Sequence, residues 1–214
     1  MIKISIFRFA IFGINTYVLT DEATSDCIVV DPGMSSHEEE DVMINFIESN
    51  HLHLKYIVAT HLHLDHAVGI EALRRRYGVE LLAHEADAPL GERLKEQAKM
   101  FGVRVNIISV TPGRYIKDGD ILEIGESRLE VIHVSGHSPG HIALYDRADQ
   151  FLVSGDILFA GSIGRTDLPG GSSTQLISGI RNKLMTLPDD TVVYPGHGPT
   201  TTIGVERRSN PYIM

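Results

Sequence analysis

Cysteine and tryptophan are nearly missing from this chain of 214 residues: Cys27 stands alone, and there is no tryptophan. One cysteine excludes an intrachain disulfide, so the fold rests on burial and hydrogen bonds, and the reducing cytoplasm is the expected setting. Cys27 lies in Asp26-Cys27-Ile28-Val29-Val30, a run that reads as a buried strand, where a free thiol behaves as a small hydrophobe. No apolar run approaches the ~20 residues of a membrane span. The opening Met1-Ile2-Lys3-Ile4-Ser5-Ile6-Phe7 is too short and too alternating for a signal peptide and reads as a strand. Basic residues are in the minority, 19 Lys and Arg against 28 Asp and Glu for a net charge of -9. A nucleic-acid partner is therefore not expected, because phosphate binding needs a basic face. A hydrophobic content of 43% suits one compact domain spanning residues 1–214.

Histidine, in contrast, is plentiful, and it clusters. Thr60-His61-Leu62-His63-Leu64-Asp65-His66 puts three histidines and an aspartate within six residues. The apolar Tyr56-Ile57-Val58-Ala59 precedes it and the helix-forming Glu71-Ala72-Leu73-Arg74-Arg75 follows, so the cluster falls where a strand ends and a helix begins. Imidazole and carboxylate are ligands for Zn, Fe(II) or Mn(II). In extended chain His61 and His63 project to one side and can share a metal, with Asp65 and His66 placed for a second. A helix cap at Asp65 is the plain alternative, but it accounts for one residue of the four.

Along the chain, residues 2–31 read as three short strands with turns at Asn15 and 21–26. The third strand runs into Asp31-Pro32-Gly33, where the acid either closes a turn or faces a site. Residues 36–50 read as a helix capped by Ser35 or Ser36, 67–77 as a second helix, and Val79–Ala83 as a strand. His84 beside two acids reads as a solvated helix start, and 85–101 as an exposed helix, the least site-like part of the chain and a candidate wall or lid. Strands are expected at Val105–Val110, Ile121–Ile124, Arg128–Val134, Ile142–Tyr145 and Phe151–Val153, then a helix at 173–186 and a strand at Thr191–Tyr194. This order fits two sheets sandwiched between helices.

Three later strand ends carry further ligand types. In His133-Val134-Ser135-Gly136-His137-Ser138-Pro139-Gly140-His141 the glycines and proline forbid a helix. His137, framed by small residues, is the expected ligand; His133 and His141 read as strand-end residues or supports behind it. Asp156 follows the strand Leu152-Val153-Ser154-Gly155, and its two oxygens could bridge two cations. His197 sits in the turn Pro195-Gly196-His197-Gly198. Four strand ends thus offer His61, His63, Asp65, His66, His137, Asp156 and His197.

This set, His61-x-His63-x-Asp65-His66 followed by His137, Asp156 and His197, resembles the five-motif pattern of the metallo-β-lactamase superfamily, over nearly the whole chain from Asp31 to His197. The resemblance implies an αββα sandwich of two mixed β-sheets flanked by helices. It implies one metal at His61, His63 and His137, a second at Asp65, His66 and His197, and Asp156 as the bridge. Ser135–His141 and the loop Gly161-Ser162-Ile163-Gly164-Arg165-Thr166-Asp167-Leu168-Pro169-Gly170-Gly171 look most like glyoxalase II, in its short bacterial branch similar to hydroxyacylglutathione hydrolases. Glyoxalase II proteins usually add a C-terminal helical domain with basic residues that grip glutathione. Here Thr200–Met214 follows His197, with Arg207 and Arg208 its sole basic residues, so no separate substrate-binding domain is expected. Enzymes of the superfamily with a cysteine ligand are excluded, since Cys27 is far from every ligand loop.

Two divalent cations ~3.5–4 Å apart can hold a bridging water, lower its pKa toward 7 and polarise a carbonyl. The expectation is therefore a dinuclear hydrolase that cleaves an acyl thioester such as S-lactoylglutathione, a small-molecule substrate. Zinc is the first choice of metal, with iron or manganese as alternatives. Asp65 is the candidate to orient the water and take its proton, and Asp31 the candidate to orient His66 or Asp156. Arg165 either forks to a substrate carboxylate or braces its loop through Asp167. The competing expectations are a mononuclear iron persulfide dioxygenase, which such sequences resemble in the Gly-Arg-Thr-Asp loop, and a hydrolase of another ester or lactone.

Overall fold

The computed structural model describes residues 1–214. The first half is built from β1 (Ile2–Arg8), β2 (Asn15–Asp21), β3 (Asp26–Val30), α1 (His37–Ser49), β4 (His53–Val58), α2 (Leu64–Ala67), α3 (Ile70–Tyr77), β5 (Glu80–Ala83), α4 (Ala88–Glu92), α5 (Leu94–Met100) and β6 (Arg114–Tyr115). The second half holds β7 (Ile121–Ile124), β8 (Ser127–His133), β9 (Ile142–Asp146), β10 (Phe151–Gly155), β11 (Leu158–Phe159), β12 (Ser162–Ile163), α6 (Ser173–Lys183), β13 (Val192–Pro195), β14 (Thr201–Thr202) and α7 (Ile203–Ser209).

Two six-stranded mixed sheets result, in the orders β1-β2-β3-β4-β5-β6 and β14-β13-β10-β9-β8-β7. In the first, β1 to β3 pair antiparallel and β3 to β6 parallel. In the second, only β10 and β13 run parallel. Strand alternation assigns each side chain to a layer. Tyr17, Leu19, Ile28, Val30 and Val58 turn inward against Leu129, Val131, Ile142 and Leu144 of the other sheet. Their neighbours Val18, Cys27, Val29 and Ile57 turn outward under α1 and α3, where they meet Met43, Ile47, Ile70 and Leu73. On the far side Ala143, Tyr145 and Leu152 pack beneath Leu176 and Ile180 of α6. Each fully buried aliphatic side chain contributes about 1.5–3 kcal/mol. This is the expected αββα sandwich, with Cys27 a core residue.

Helix starts follow the caps legible in the chain. Ser36 accepts from Glu39 N ahead of α1, whose first turn is acidic (Glu38, Glu39, Glu40), and Ser172 and Thr202 cap α6 and α7 in the same way. Three expectations need correction. Val105–Val110 is not a strand; Ile107 and Val110 instead pack onto the outer core, and the strand beside β5 is Arg114–Tyr115. An alternating apolar pattern there is satisfied by a helix layer as well as by a ladder. The expected helix 85–101 is broken into a 3-10 turn at Glu85–Asp87, then α4 and α5, with Arg93 off helical geometry at the break. Asn15, read as a turn residue, opens β2 and holds the last ligand loop: its Nδ2 donates to Pro195 O and Gly198 O, each at 3.0 Å. The short strands β11, β12 and β14 and helix α7 were not anticipated.

Candidate metal centre

The expected ligands lie past the C-terminal ends of β4, β8, β10 and β13, so both sheets deliver their loops to one edge of the sandwich. His61 and His63 lie in extended chain, and α2 begins at Leu64, which carries Asp65 and His66 into its first turn. His61, His63 and His137 bring one ligand atom each within 4.8 Å of one another, and so do Asp65, His66 and His197, and His61, His66 and Asp156. His137 Nε2 is 3.1 Å from His61 Nε2 and 3.0 Å from His63 Nδ1. On the other side His197 Nε2 and His66 Nε2 lie 3.1 Å and 3.7 Å from Asp65 Oδ2. Asp156 stands between the two groups: Oδ2 is 3.6 Å from His137 Nε2 and 3.7 Å from His197 Nε2, and Oδ1 is 3.4 Å from His66 Nε2. All seven side chains proposed from the sequence are thus in one cluster. Gly196 makes room for it, because a Cβ there would lie 2.3 Å from Asp156 Oδ1.

Proton positions show that this cluster suits cations. His137 Nδ1 is 2.8 Å from Arg165 O, a pure acceptor, so it carries the proton and Nε2 presents a lone pair. Thr60 Oγ1 donates to Asp31 Oδ2 at 2.8 Å and so receives His61 Nδ1–H at 3.1 Å, which leaves His61 Nε2 as a lone pair too. Two lone pairs 3.1 Å apart repel unless an electrophile lies between them. Their separation approaches the ~3.3 Å edge of a tetrahedron with metal–nitrogen bonds of about 2.0–2.1 Å. His66 Nε2 and Asp156 Oδ1 are buried without a hydrogen-bond partner, as expected of atoms reserved for a ligand. The donor set fits two divalent ions.

Supporting groups surround the ligands. Asp31 is fully buried at a positive φ of 53°, and its carboxylate accepts from Thr60 N at 2.7 Å and lies 2.9 Å from His66 Nδ1. It faces the site rather than merely closing a turn. His141 stacks on His61 with ring centroids 4.5 Å apart, and its Nε2 accepts from Asp156 N at 2.9 Å. His133 lies at the strand end, bonded to Pro139 O at 2.9 Å, and stacks on His84, which caps the turn at 85–87; neither joins the cluster. Arg165 forks to Asp167 through two 2.7 Å bonds, the loop-bracing arrangement.

Burial holds His61 and His141 well below the ordinary imidazole range, reinforced by neighbouring imidazoles, and takes His63 down to about 3. Burial also acts against charge on His66, but Asp31, Asp65 and Asp156 outweigh it and raise His66 well above the ordinary value. Burial would raise the Asp65 carboxyl, yet His66 and His197 more than offset it and keep it lowered. Asp156 is lowered likewise, its burial overcome by His66, His137 and His197. Neutral His61, His63 and His137 beside ionised carboxylates are in the states that bind metal, whereas His66 and His197, raised by the carboxylates around them, release a proton when a cation takes its place.

Two participants were missed by sequence reasoning. Asp87 and Gln97, in the segment read as exposed, are buried and bond the backbone of the first ligand loop. Asp87-Ala88-Pro89 has the look of a helix start, which concealed it; no spacing marks Gln97. The ligands open onto a cleft of about 480 Å³ walled by Phe12, Phe101, Phe159, Ile163 and Leu168.

An αββα sandwich with a cluster of His and Asp side chains able to hold metal at one edge defines the metallo-hydrolase superfamily. The chain belongs to the Metallo-beta-lactamase superfamily, whose profile matches residues 11–197. It is 39% identical to hydroxyacylglutathione hydrolase GloC of Haemophilus influenzae, over 99% of this chain and 98% of that protein. Among solved structures, BLEG-1 B3 metallo-beta-lactamase superposes with a TM-score of 0.89 at 31% identity, covering 99% of this chain and all of that one. TTHA1623 in a di-iron-bound form superposes with a TM-score of 0.86 at 32% identity, covering 97% and 99%. No helix is long and apolar enough to cross a membrane.

Proposed function

We propose that the protein is a dinuclear metal-dependent hydrolase of glyoxalase II type that cleaves an acyl thioester, S-lactoylglutathione or a close analogue. The observation that carries this reading is the place of Asp156, whose carboxylate lies 3.4–3.7 Å from nitrogens of both groups, His137 in one and His66 and His197 in the other. The similarity to hydroxyacylglutathione hydrolase GloC supports it. In this reading His61, His63 and His137 hold one ion, Asp65, His66 and His197 the other, and Asp156 both. The ions supply Lewis acidity, making water nucleophilic near neutral pH and drawing charge from a carbonyl oxygen. Asp65, ionised and 14% exposed at the cleft floor, orients the water and accepts its proton. Asp31 fixes the ring of His66, and Arg165 O fixes that of His137. The aromatic walls exclude bulk water around the reacting carbonyl, and a thiolate leaves without strong protonation. Arg165 is already paired with Asp167, so it shapes the cleft rather than gripping a substrate carboxylate. Zinc is the first choice of metal, with iron supported by the di-iron neighbour. The substrate is a small molecule, and the cytoplasm is the proposed location.

The mononuclear iron reading makes no use of Asp65, His66 and His197 as a second ligand group, yet these too bring ligand atoms within 4.8 Å of one another. One panel tests both, with metal-loaded protein given S-lactoylglutathione, simple lactones, a chromogenic cephalosporin and, with oxygen uptake followed, glutathione persulfide. Thioester turnover with two ions per chain is expected, as is a loss of at least 10²-fold in kcat for Asp65→Ala at unchanged fold. Oxygen uptake with one iron per chain, or full activity of Asp65→Ala, overturns the assignment.

A further inference from the structure

The segment between β5 and α5 contributes no metal ligand, yet it carries a buried carboxylate that touches two ligand loops at once. Asp87 is fully buried. Its Oδ2 accepts from Leu62 N at 3.2 Å and from Ser138 Oγ at 2.7 Å, and its Oδ1 accepts from Gly140 N at 2.6 Å. Leu62 stands between His61 and His63, and Ser138 is next to His137. Gln97 completes the hold on the first loop, accepting from Leu64 N at 3.0 Å and donating to Leu62 O at 3.1 Å. The loop of His197 is held separately, by the side chains of Asn15 and Tyr17 from β2.

We propose that Asp87 is a positioning residue for the three-histidine site, the side chain that bonds the loop of His61 and His63 from the first sheet to the loop of His137 from the second. This rests on the dinuclear reading above. The acceptor pattern demands a carboxylate. Three donors converge on two oxygens, two of them main-chain N–H groups that cannot reverse. An amide in its place must turn its NH2 toward Gly140 N–H or toward Leu62 N–H, and either choice sets two donors face to face in a buried pocket. Gly140 is required by the same contact, since a Cβ there would lie 2.8 Å from Asp87 N and 2.9 Å from its Oδ1. A ligand trio fixed in this way binds its ion without ordering two loops first, and removing such support characteristically costs about 10–100-fold in metal affinity.

The test is a zinc titration of the full chain in competition with a chromogenic chelator, on wild type, Asp87→Asn, Ser138→Ala and Gly140→Ala, with His63→Ala and His197→Ala as markers of which binding step belongs to which site. The visible spectrum of cobalt(II)-loaded protein and the melting temperature of the metal-free protein are recorded alongside. The expected result is a weakening of about 10–100-fold in Asp87→Asn, confined to the step lost in His63→Ala, with the step lost in His197→Ala unchanged. Gly140→Ala should match it, and Ser138→Ala should show a several-fold loss in the same step together with a changed cobalt spectrum. A merely structural Asp87 would lower the melting temperature and leave both binding steps alone, or weaken both alike; either result overturns the proposal. Should Asp87→Asn fail to fold, an unchanged three-histidine step in Ser138→Ala and Gly140→Ala overturns it equally. Wild-type protein that binds no zinc would instead refute the dinuclear reading itself.

Discussion

At the scale of single residues, metal chemistry was visible in the chain and hydrogen-bond supports were not. Few side chains can bind a divalent ion, so the seven candidate ligands announced themselves by type and by their place at strand ends. Asp87, Gln97 and Glu206 act on main-chain atoms brought close only by the fold, and nothing in their local sequence records those partners. Asp21 is a similar case, with consequences for acid stability. Its carboxylate takes Ala23 N, Thr24 N and Thr24 Oγ1 within its own turn and Ser127 Oγ of the other sheet at 2.6 Å. The Ser127 bond is the main reason its pKa falls to about 2 from 3.8. A folded-state value below the unfolded one means the stabilisation is complete above the unfolded value and vanishes as pH drops through the folded value. Ser127→Ala should therefore cost about 1.5 kcal/mol near neutrality. Urea denaturation of both proteins across the acid range should show that difference shrinking between about pH 4 and pH 2. A gap independent of pH would mean the hydroxyl contributes packing alone.

At the scale of elements, long periodic segments were readable, and two-residue strands were not. β11, β12 and β14 each have two residues, too few to establish a period of two. Val105–Val110 failed in the opposite sense, having a strand's pattern but a helix layer as its partner. The missed pieces matter to the site. β11 and β12 form a hairpin carrying Phe159 and Ile163 into the cleft wall, and α7 pins its tip. Buried Glu206 accepts from Gly161 N at 2.9 Å, Thr201 Oγ1 at 2.6 Å and Asn210 Nδ2 at 2.7 Å, while Asn210 Nδ2 also donates to Ser162 O at 3.0 Å. Glu206→Ala leaves these donors unanswered, at about 1–3 kcal/mol. For a chain of this size that corresponds to a melting temperature lower by roughly 3–10 °C. Because the hairpin shapes the cleft but holds no ligand, KM for the thioester should rise several-fold while kcat falls less and zinc content stays the same. A variant that lost zinc would show that α7 supports the metal centre instead.

At the scale of the whole molecule, the two sheets are already joined by an apolar interior, so the metal edge is a separate source of cohesion. The layers were legible because runs such as Cys27–Val30 and Ile142–Tyr145 can be buried on both faces only in a sandwich. The closeness of the edge loops was legible only through the ligand chemistry that requires it. Without ions that edge holds the lone pairs of His61 and His137 3.1 Å apart, a contact that favours separation. Ions binding the folded state alone, at a thousand times their dissociation constant, add about 4 kcal/mol for a site. Removing both with a chelator should then lower the melting temperature by roughly 15–30 °C. The loss should be local as well as global. Amide exchange should accelerate in the loops at 60–66, 134–141 and 195–198, where ligands would part, and hold steady in β2 and β3, whose protection comes from the hydrophobic interior. Restoring one divalent ion per chain should recover part of the melting temperature and a second the remainder. If chelation changes neither melting nor exchange, the clustered histidines contribute no cohesion through metal, and the edge is held by its hydrogen bonds from Asp31, Asp87 and Asn15 alone.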